Sequence, residues 1–545
     1  MIKLLPRELL AKLPPFLVFW SASVLACLVF LPFLSWVVFS GDDSHLMRVA
    51  LDYGGLQPYL QPEVYRELSV ANYTPIPMTI YRWIATLFPM RPLFFLAFMI
   101  ACMSLVMGLA ATLAATLATR LTQSSSSSRD MRAGWVTIVL MASLLSLPTL
   151  LSRFYTMHYL IGGIFALLTL LVLIRKPAED GRAVTTLLLV WVLLLLAMLS
   201  KEVYLMLVPL ILVLSWQRKQ WQLAAGVLLV TVAYWLWRGH MLGMQLDVGG
   251  EGSYFAGFWN IGLGSWVEFV GFYLRSRWLI LFALLLAFLS DYRLTLKLTA
   301  LALLFGLPGL AVTHGIAEYG LHSDRIFFAM DVALAVVAAI VISCDNRAQS
   351  YFKAEYVAAA FVFVFFIQVL AVRDYRQDVV TQTDYKITRY LLDRFTAVAD
   401  QTAFIPMNYI QGDLMRVSDR LDLDWVSLTQ NCLDALQVSN ERLLVFNDAG
   451  DLISREELQE QCQPANGLSV DVQAAPQYDS GLLRWQLSAA PDVQTGVLFV
   501  DRAFAVPLPA FNSQLVKPAP DERYQLFARQ GNQWWFSEPR VIDVR

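Results

Sequence analysis

Charged residues are scarce in this sequence. They make up 15% of its 545 residues, whereas 57% of the residues are hydrophobic and the mean hydropathy is +0.54. Ordinary soluble domains contain about 25% charged residues, so this composition indicates a chain that crosses a lipid bilayer many times. The charges also lack a basic surplus, because the formal net charge is −2 and the isoelectric point is near 6.2. We therefore expect the lipid bilayer as a partner and no binding of nucleic acid.

A small-residue cleavage site is missing after the first apolar run, at about residues 15–39. The run is also longer than the core of a signal peptide, so it predicts a retained transmembrane span. Similar apolar windows recur until about Ala371. Together they predict about eleven spans. Their approximate positions are 15–39, 92–118, 133–150, 159–174, 183–199, 203–216, 221–237, 277–290, 298–312, 326–343 and 355–372.

Loops rich in Lys and Arg alternate with loops that contain few of them. The first basic group, Lys3, Arg7 and Lys12, precedes the first span. Because short cytoplasmic loops are enriched in Lys and Arg, the N-terminus is predicted in the cytoplasm, and an odd number of spans places the C-terminal part outside. We expect a multi-pass protein of the bacterial cytoplasmic (inner) membrane with a periplasmic or otherwise extracytoplasmic C-terminal domain. The basic residues of the other cytoplasmic loops are Arg120, Arg129, Arg132, Arg175, Lys176, Arg182, Arg218, Lys219, Arg293, Lys297, Arg347 and Lys353.

The composition becomes that of a soluble domain after the last span. We predict a transmembrane domain of residues 1–374, whose first outer loop covers about 41–90, and a soluble domain of residues 375–545. The soluble part opens with a helical stretch, "DYKITRYLLDRFTAVAD", and continues with β-rich runs such as "RLLVFND" and "YQLFARQGNQWWFSEPRVIDV". The second run contains a predicted Gly-Asn turn between two β-rich segments. The predicted fold class is therefore a mainly α membrane protein with a C-terminal α+β, β-rich domain.

No internal repeat is visible, and only Asp331 is a charged residue predicted to be buried inside a span. A transporter is expected to have repeated halves and charges near the middle of the membrane, so a transporter or flippase is the less favoured class. Polar residues instead collect in the predicted outer loops, which indicates chemistry at one membrane face. They are Asp42, Asp43, His45, Arg48, Arg153, His158, Lys201, Glu202, Arg238, His240, Asp247, Glu251, His314, Glu318, His322, Asp324 and Arg325.

Two adjacent carboxylates, Asp42 and Asp43, directly follow the first span. At the membrane edge a carboxylate avoids the cost of about 2.5 kcal/mol or more that it would have at the bilayer centre. It can then act as a general base or bind a metal ion. In a helix the two side chains point about 100° apart, so they are expected to differ in role. The alternative is a solvated helix end without a chemical function.

Three stretches carry a family resemblance. "GDD" is followed, after a loop of about thirty residues, by "NYTPIPMTIYRWIATLFPM"; further on come "LSKEVYLMLVP" and "HSDRIFFAMDV". In order and sidedness they resemble the polytopic glycosyltransferases of the GT-C superfamily, which includes protein O-mannosyltransferases and lipid A aminoarabinose transferases. The resemblance covers about 370 residues. One departure is that the first loop has no Lys or Arg beside a Pro-Pro motif, which weighs against aminoarabinose as the sugar.

The resemblance implies a GT-C type helix bundle and an inverting transfer of one sugar. The donor is then a sugar on a polyprenyl phosphate, and the acceptor is an extracytoplasmic envelope glycan or glycolipid such as lipopolysaccharide O-antigen. The alternative enzyme is an O-antigen polymerase or ligase that acts on polyprenyl-diphosphate glycans. Such enzymes rely on Arg and His in a large outer loop, and they lack an essential carboxylate after the first span.

The resemblance also implies residue roles. Asp42 matches the position of the base, and Asp43 would position the acceptor. Lys201 and Arg325 are the candidates for binding the donor phosphate, since each is a cation at the outer end of a span. Alternatively, Lys201 pairs with Glu202 or extends to the interface, and Arg325 pairs with Asp324 or Asp331. Further candidates for substrate binding are His45, Arg48, Tyr73, Arg153, His158, Glu202 and His322.

The sequence has only five histidines and five cysteines. His45, His158, His314 and His322 are predicted on the outer side, but their spacing fits no compact ligand motif. We therefore expect no cofactor, and a divalent metal is the less favoured alternative. Only Cys432 and Cys462 fall in the part predicted to lie outside, where oxidation is permitted, so we predict a disulfide between them.

Overall fold

The computed structural model of the protein describes most of the chain. Its residues form two compact units. The first, here called the helical unit, contains residues 1–37, 71–77 and 93–375, and the second, here called the mixed unit, contains residues 38–70, 78–92 and 376–545. The described residues are 14–28, 36–40, 42–68, 72–122, 127–174, 183–242, 263–310, 325–344, 354–406, 410–464, 471–479, 482–488, 493–502, 504–508 and 523–541.

The two units group most of the predicted first outer loop with the C-terminal residues. The unit boundary between Tyr375 and Arg376 lies next to the predicted boundary, but most of the predicted first outer loop groups with the C-terminal residues rather than with the membrane part. The acid pair and the C-terminal domain therefore belong to the same compact unit.

Apolar helices build the helical unit. Long runs of Leu, Ala, Val and Phe favour this structure because a helix satisfies its own backbone hydrogen bonds, which an apolar environment requires. The helices are Pro15–Leu28, Pro92–Thr122, Ser127–Ala142, Leu147–Ser152, Met157–Ile174, Ala183–Ser200, Leu207–Gln217, Trp221–Leu242, Leu263–Ser276, Trp278–Ser290, Tyr292–Leu303, Leu307–Leu310, Phe328–Cys344 and Ala354–Val380, with 3₁₀ turns at Phe154–Thr156, Glu202–Met206 and Leu304–Gly306.

Each predicted span overlaps a helix of the structure. Within the described residues, three helical segments are long and apolar enough to cross a bilayer: Pro92–Thr122, Phe154–Ile174 and Arg325–Cys344. A fourth is the pair Val270–Ser276 and Trp278–Ser290, if these two helices, which are bent by 83°, count as one span. The number of about eleven spans and their sidedness stay predictions.

Two predicted spans differ in their bounds from the helices of the structure. The predicted span 133–150 stops being helical after Ala142 and resumes at Leu147, where Pro148 occupies the first turn of a new helix. Proline suits a first turn because its missing N–H has no helical acceptor there. The predicted span 298–312 starts earlier, at Tyr292, since the Asp291 side chain caps the helix by accepting from the Leu294 N–H at 3.0 Å.

The helix Phe328–Cys344 lies in the core of the helical unit. Almost all of its side chains are buried, and it packs against the helices Ser127–Ala142, Trp278–Ser290 and Tyr292–Leu303. Small side chains such as Ala335, Ala338 and Ala339 allow neighbouring backbones to approach closely. Dispersion contacts along this seam therefore hold the unit together.

One buried ion pair crosses this core. Arg277, at the break between two helices, donates from Nε to Asp331 Oδ1 at 3.0 Å and from Nη2 to Asp331 Oδ2 at 2.7 Å. The Tyr273 hydroxyl also donates to Asp331 Oδ1, at 3.0 Å. The Asp331 carboxylate, considered above as a partner for Arg325, is therefore bound by Arg277 and Tyr273.

The described residues of the mixed unit form short helices and three sheets, in agreement with the predicted α+β character of the C-terminal part. The helices are Asp43–Asp52, Gln57–Leu60, Pro62–Leu68, Pro75–Leu87 (shared with the helical unit), Thr383–Asp393, Ile410–Arg420, Cys432–Ala435 and Arg455–Gln461. The strands are β1 Thr402–Phe404, β2 Ser427–Thr429, β3 Leu443–Phe446, β4 Leu452–Ile453, β5 Gln463–Pro464, β6 Asp471–Asp479, β7 Leu482–Ser488, β8 Gln494–Phe499, β9 Phe504–Leu508, β10 Arg523–Gln530, β11 Gln533–Phe536 and β12 Arg540–Val541.

The first sheet has the order β2-β1-β3-β4, with β1 parallel to both β2 and β3 and with β4 antiparallel to β3. The second has the order β5-β11-β10-β8-β9, with β12 also paired to β10. Its hairpin β10–β11 turns at Gly531 and Asn532, the Gly-Asn turn of the predicted β-rich run, and Gly531 has a φ of +58°. Strands β6 and β7 form a separate hairpin.

A disulfide joins Cys432 to Cys462, the pair predicted from the sequence. Their Cα atoms are 6.0 Å apart, and both side chains are buried in a core with Phe404, Val445 and Phe527. The bridge closes a loop with a sequence separation of 30, which on the chain-entropy model stabilises by about 3 to 4 kcal/mol.

Candidate functional site

The candidate residues selected from the sequence include two groups of polar side chains. Each compact unit contains one of these groups. The acid pair belongs to the mixed unit. Lys201, Arg325 and His158, here called the basic cluster, belong to the helical unit. His322 and His314 lie outside the described residues.

Asp42 and Asp43 differ in their surroundings. Asp42 is exposed at the N-cap of the helix Asp43–Asp52, here called the acidic helix. Asp43 is fully buried: its Oδ2 accepts from the Ser40 backbone N–H and its Oδ1 from the Tyr81 hydroxyl, both at 3.1 Å. Asp43 is thus fixed by donors of the protein, whereas Asp42 is open to solvent. This placement is compatible with the different roles predicted for the two carboxylates.

The acidic helix begins and ends where local chemistry requires. The Asp42 side chain at the N-cap makes no capping hydrogen bond, but carboxylates at this end of a helix are stabilised by the positive end of the helix dipole. The chain leaves the helix after Asp52 and reaches Gly55, which has a φ of +62° that other residues rarely adopt. Short local signals therefore place Asp42 at the exposed tip of a helix.

Arg48 and His45 on this helix contact a distant part of the same unit. The Arg48 guanidinium is 1% exposed and donates from Nε to Asp413 Oδ1 at 2.6 Å and from Nη1 to Asp52 Oδ2 at 3.2 Å. The His45 Nδ1 lies 3.5 Å from Asp413 Oδ2. Arg48 is therefore placed to hold the helix rather than to meet a substrate, and a substrate-binding role for His45 stays a prediction.

Burial alone would raise the pKa of Asp413, but the hydrogen bonds and charges of His45 and Arg48 outweigh it and hold the pKa at about 2. Asp413 was not selected from the sequence. Its only local signal is its place on the apolar face of an amphipathic helix, between Gln411 and Leu414, which are also buried.

Lys201 lies between the helix Ala183–Ser200 and the 3₁₀ turn Glu202–Met206. Its Nζ donates to Asn72 Oδ1 at 2.6 Å and lies 5.2 Å from the centre of the Tyr159 ring. Asn72 was also not selected from the sequence. Its amide oxygen and the ring face of Tyr159 are neutral, so the carboxylate that acts on the charge of the lysine is that of Glu202, the next residue in the chain.

Glu202 is bound by a different cation. Its Oε1 accepts from Arg238 Nε at 2.6 Å and from the Tyr73 backbone N–H at 3.3 Å. The Tyr73 hydroxyl accepts from Trp237 Nε1 at 3.1 Å. Glu202 and Tyr73, both candidates for substrate binding, thus form a structural network with Arg238, and Lys201 makes its hydrogen bond elsewhere.

The basic cluster brings like charges together. The Arg325 guanidinium lies 4.8 Å from the centre of the Tyr155 ring. The His158 ring centre lies 4.3 Å from that of Tyr159, whose ring also lies 5.2 Å from Lys201 Nζ. The His158 Nε2 is buried and has no hydrogen-bond partner among the residues that the structure describes. An anion is the kind of ligand that would stabilise such a group.

Arg153 lies directly before the 3₁₀ turn that leads to His158. It donates from Nε to the Tyr375 hydroxyl at 3.3 Å and from Nη1 to the Tyr155 hydroxyl at 3.5 Å. Tyr155 thus contacts two guanidinium groups: Arg325 lies over its ring, and Arg153 donates to its hydroxyl. This arrangement adds a second guanidinium near the basic cluster.

Metal ligands do not group together in the described part of the chain. No set of three or more His, Cys, Asp or Glu side chains there could hold a metal ion. The Asp42 and Asp43 carboxylates have the separate surroundings described above, so no metal is assigned to them.

Comparisons with known proteins give one structural likeness. Neither a protein-family model nor a curated protein matches the sequence. The structure is similar to the crystal structure of ArnT from Cupriavidus metallidurans in the apo state, with 12% sequence identity and a TM-score of 0.30. The similarity covers 76% of this chain and 85% of that chain. A similarity this low does not indicate which reaction the protein catalyses. The side chains of this protein have to carry that argument.

Proposed function

We propose that the protein is a GT-C type glycosyltransferase of the bacterial cytoplasmic membrane. It transfers one sugar from a polyprenyl-phosphate donor to an extracytoplasmic envelope glycan or glycolipid, such as lipopolysaccharide O-antigen, and it needs no cofactor. The C-terminal domain lies on the extracytoplasmic side in this proposal. The apolar helices supply the membrane part, and the acid pair and the basic cluster supply the chemistry.

The observation that supports a phosphate-bearing substrate is the basic cluster. Lys201 and Arg325 are half-buried cations that repel each other and lose hydration, and the carboxylate of Glu202, which acts on Lys201, is itself bound by Arg238. Phosphate would compensate both costs, because Arg and Lys bind it with charge-assisted hydrogen bonds. The unpartnered His158 Nε2 offers one more polar atom for such a ligand.

The proposed reaction is a single displacement. Asp42 accepts the proton of the acceptor hydroxyl, and the acceptor oxygen forms a bond to the anomeric carbon. The bond from that carbon to the phosphate oxygen breaks, its electron pair stays on the phosphate, and the configuration inverts. Lys201 and Arg325 stabilise the negative charge that develops on the phosphate, while the fixed Asp43 positions the acceptor.

The test uses the purified full-length protein in lipid nanodiscs. It is given a panel of radiolabelled polyprenyl-phosphate sugars together with envelope glycolipid acceptors, and labelled product is measured. We expect at least one donor and acceptor pair to yield product with the parent protein and none with Asp42→Asn.

Two outcomes would contradict this proposal. Product formed only from polyprenyl-diphosphate glycans would identify a polymerase or ligase instead. Movement of the lipid-linked sugar across the bilayer without any transfer would identify a flippase or transporter.

A further inference from the structure

Four charged residues connect two helices of the mixed unit that are far apart in sequence. Arg48 and Asp52 lie on the acidic helix, and Asp413 and Arg420 lie on the helix Ile410–Arg420. Arg48 binds Asp413 at 2.6 Å and Asp52 at 3.2 Å, and Arg420 Nε binds the other oxygen of Asp52 at 2.5 Å. The four, here called the clamp, form an alternating chain of charges in the order Asp413, Arg48, Asp52, Arg420.

The spacing of the clamp residues matches helix geometry on both sides. Arg48 and Asp52 are four residues apart, so they lie on one face about one turn from each other. Asp413 and Arg420 are seven residues apart, which is close to two turns and again keeps them on one face. The two helices pack against each other along these faces. Each side therefore presents one acid and one base in a complementary order.

The helix Ile410–Arg420 is itself anchored on two sides. Arg416 Nε donates to the backbone carbonyl of Asp501 at 2.9 Å, and the Asp501 carboxylate is bound by Arg523 of β10 at 2.6 Å. On the other side, Gln411 Nε2 donates to Thr388 Oγ1 at 2.7 Å. The clamp thus ties the acidic helix to the second sheet and to the helix Thr383–Asp393.

The two ends of the acidic helix are held by different groups. Ser40 and Tyr81 fix Asp43 at the N-terminal end. Arg48 follows Asp43 by five residues, about 7.5 Å along the helix axis, and the clamp holds the helix from there to Asp52. A rotation of this helix about its axis would move Asp42 and Asp43 together and would break the clamp.

We propose that the C-terminal part of the chain is a positioning element for the acid pair. Asp413 and Arg420 act through Arg48 and Asp52 to fix the rotation of the acidic helix, and thereby the direction in which Asp42 points. This inference rests on the proposed function for its catalytic meaning. The structural part of the inference, that Asp413 orders residues 43–52, does not depend on the proposed function.

The test compares Asp413→Asn and Arg420→Gln with the parent protein in nanodiscs, with two readouts. The first is amide hydrogen exchange of peptides that cover residues 43–52. We expect exchange there to become about tenfold faster in Asp413→Asn, while peptides within Pro92–Thr122 stay unchanged. The second is the kinetics of transfer, where kcat should fall about tenfold with the donor KM within twofold of the parent, because the base is misplaced and the donor site is intact.

The matched control is Asp451→Asn, which removes an acid that pairs with Lys386 at 2.8 Å in the same unit without being part of the clamp. It should leave both readouts unchanged. Asp413→Glu restores the charge and should recover part of kcat. Arg420 is exposed, so Arg420→Gln keeps the test decisive if Asp413→Asn does not fold.

Two results separate the inference from the proposed function. Parent-like exchange at residues 43–52 in both clamp variants would overturn the inference even if transfer is active. Faster exchange in the variants, combined with no transfer by the parent protein on any donor, would support the positioning role and reject the proposed function.

Discussion

Arg277 Nη2 and Asp331 Oδ2 lie 2.7 Å apart in the core of the helical unit, and both side chains are almost completely buried. The arginine is located where two helices meet at a bend of 83°, and the aspartate is in the core helix Phe328–Cys344. The pair therefore holds the bend in place against the core. Substitutions that remove the pair measure how much this one electrostatic contact contributes to the stability of the helical unit.

We predict that Arg277→Met lowers the free energy of unfolding by about 3 to 5 kcal/mol, because the partner Asp331 is left as an uncompensated buried charge. The double variant Arg277→Met with Asp331→Leu should recover most of the loss, since it leaves no charge behind. Thermal unfolding in detergent measures both. Equal instability of the single and double variants would argue that the loss comes from packing and not from charge.

Asp42→Asn should abolish transfer and leave the unfolding temperature within about 1 °C of the parent, because an exposed carboxylate at a helix tip contributes little packing. Asp43→Asn should instead lower stability, since a neutral amide loses the charge-assisted hydrogen bonds that the buried carboxylate accepts from the Ser40 N–H and the Tyr81 hydroxyl. Product formation and unfolding are measured on the same preparations. Turnover by Asp42→Asn within a few-fold of the parent would exclude Asp42 as the base.

Lys201→Met and Arg325→Met should each raise the donor KM and lower kcat, because a cation at the leaving phosphate stabilises both the bound donor and the transition state. The matched control is Lys219→Met, which removes a lysine from the turn between the helices Leu207–Gln217 and Trp221–Leu242. Steady-state kinetics on the polyprenyl-phosphate donor measure the effect. Parent-like kinetics in both variants would leave the basic cluster without a role in phosphate binding.

Asp413 should make the mixed unit sensitive to acid. Its folded pKa of about 2 is below the ordinary value of 3.8, so its stabilising contribution is complete above about pH 4 and is lost as the pH falls towards 2. A shift of this size corresponds to about 2 kcal/mol. We expect Asp413→Asn to show a smaller loss of stability than the parent between pH 5 and pH 2 in denaturant unfolding. Identical pH profiles would contradict the lowered pKa.

The disulfide should be present in protein isolated from intact membranes. Non-reducing mass spectrometry is expected to find the peptides of Cys432 and Cys462 linked, and Cys432→Ser with Cys462→Ser should reduce stability by about 3 to 4 kcal/mol. The buried Cys27 and Cys102 serve as internal controls that stay reduced. Free thiols at both positions would remove the bridge and one support for an extracytoplasmic C-terminal domain.

Local patterns in the sequence were sufficient for several elements. Apolar runs predicted where helices occur, because a helix is the structure that satisfies its own backbone in an apolar environment. The Gly-Asn pair predicted the turn at Gly531, since glycine adopts a positive φ at little cost. Helix breaks were harder to predict: the interruption after Ala142 and the Asp291 cap depend on individual polar groups and not on average hydropathy.

The sequence by itself determined the low fraction of charged residues and the change of composition near Tyr375. It also determined the position of the acid pair at a helix end and the two cysteines that could form a disulfide. Tertiary structure alone decided the partners of the charges. Arg48 finds Asp413 across 365 residues, and Glu202 is bound by Arg238 although Lys201 is its neighbour in the chain. The physical reason is that a buried charge takes the partner that the fold brings within hydrogen-bond distance, and periodicity and composition record which residues face inward but not which of them meet.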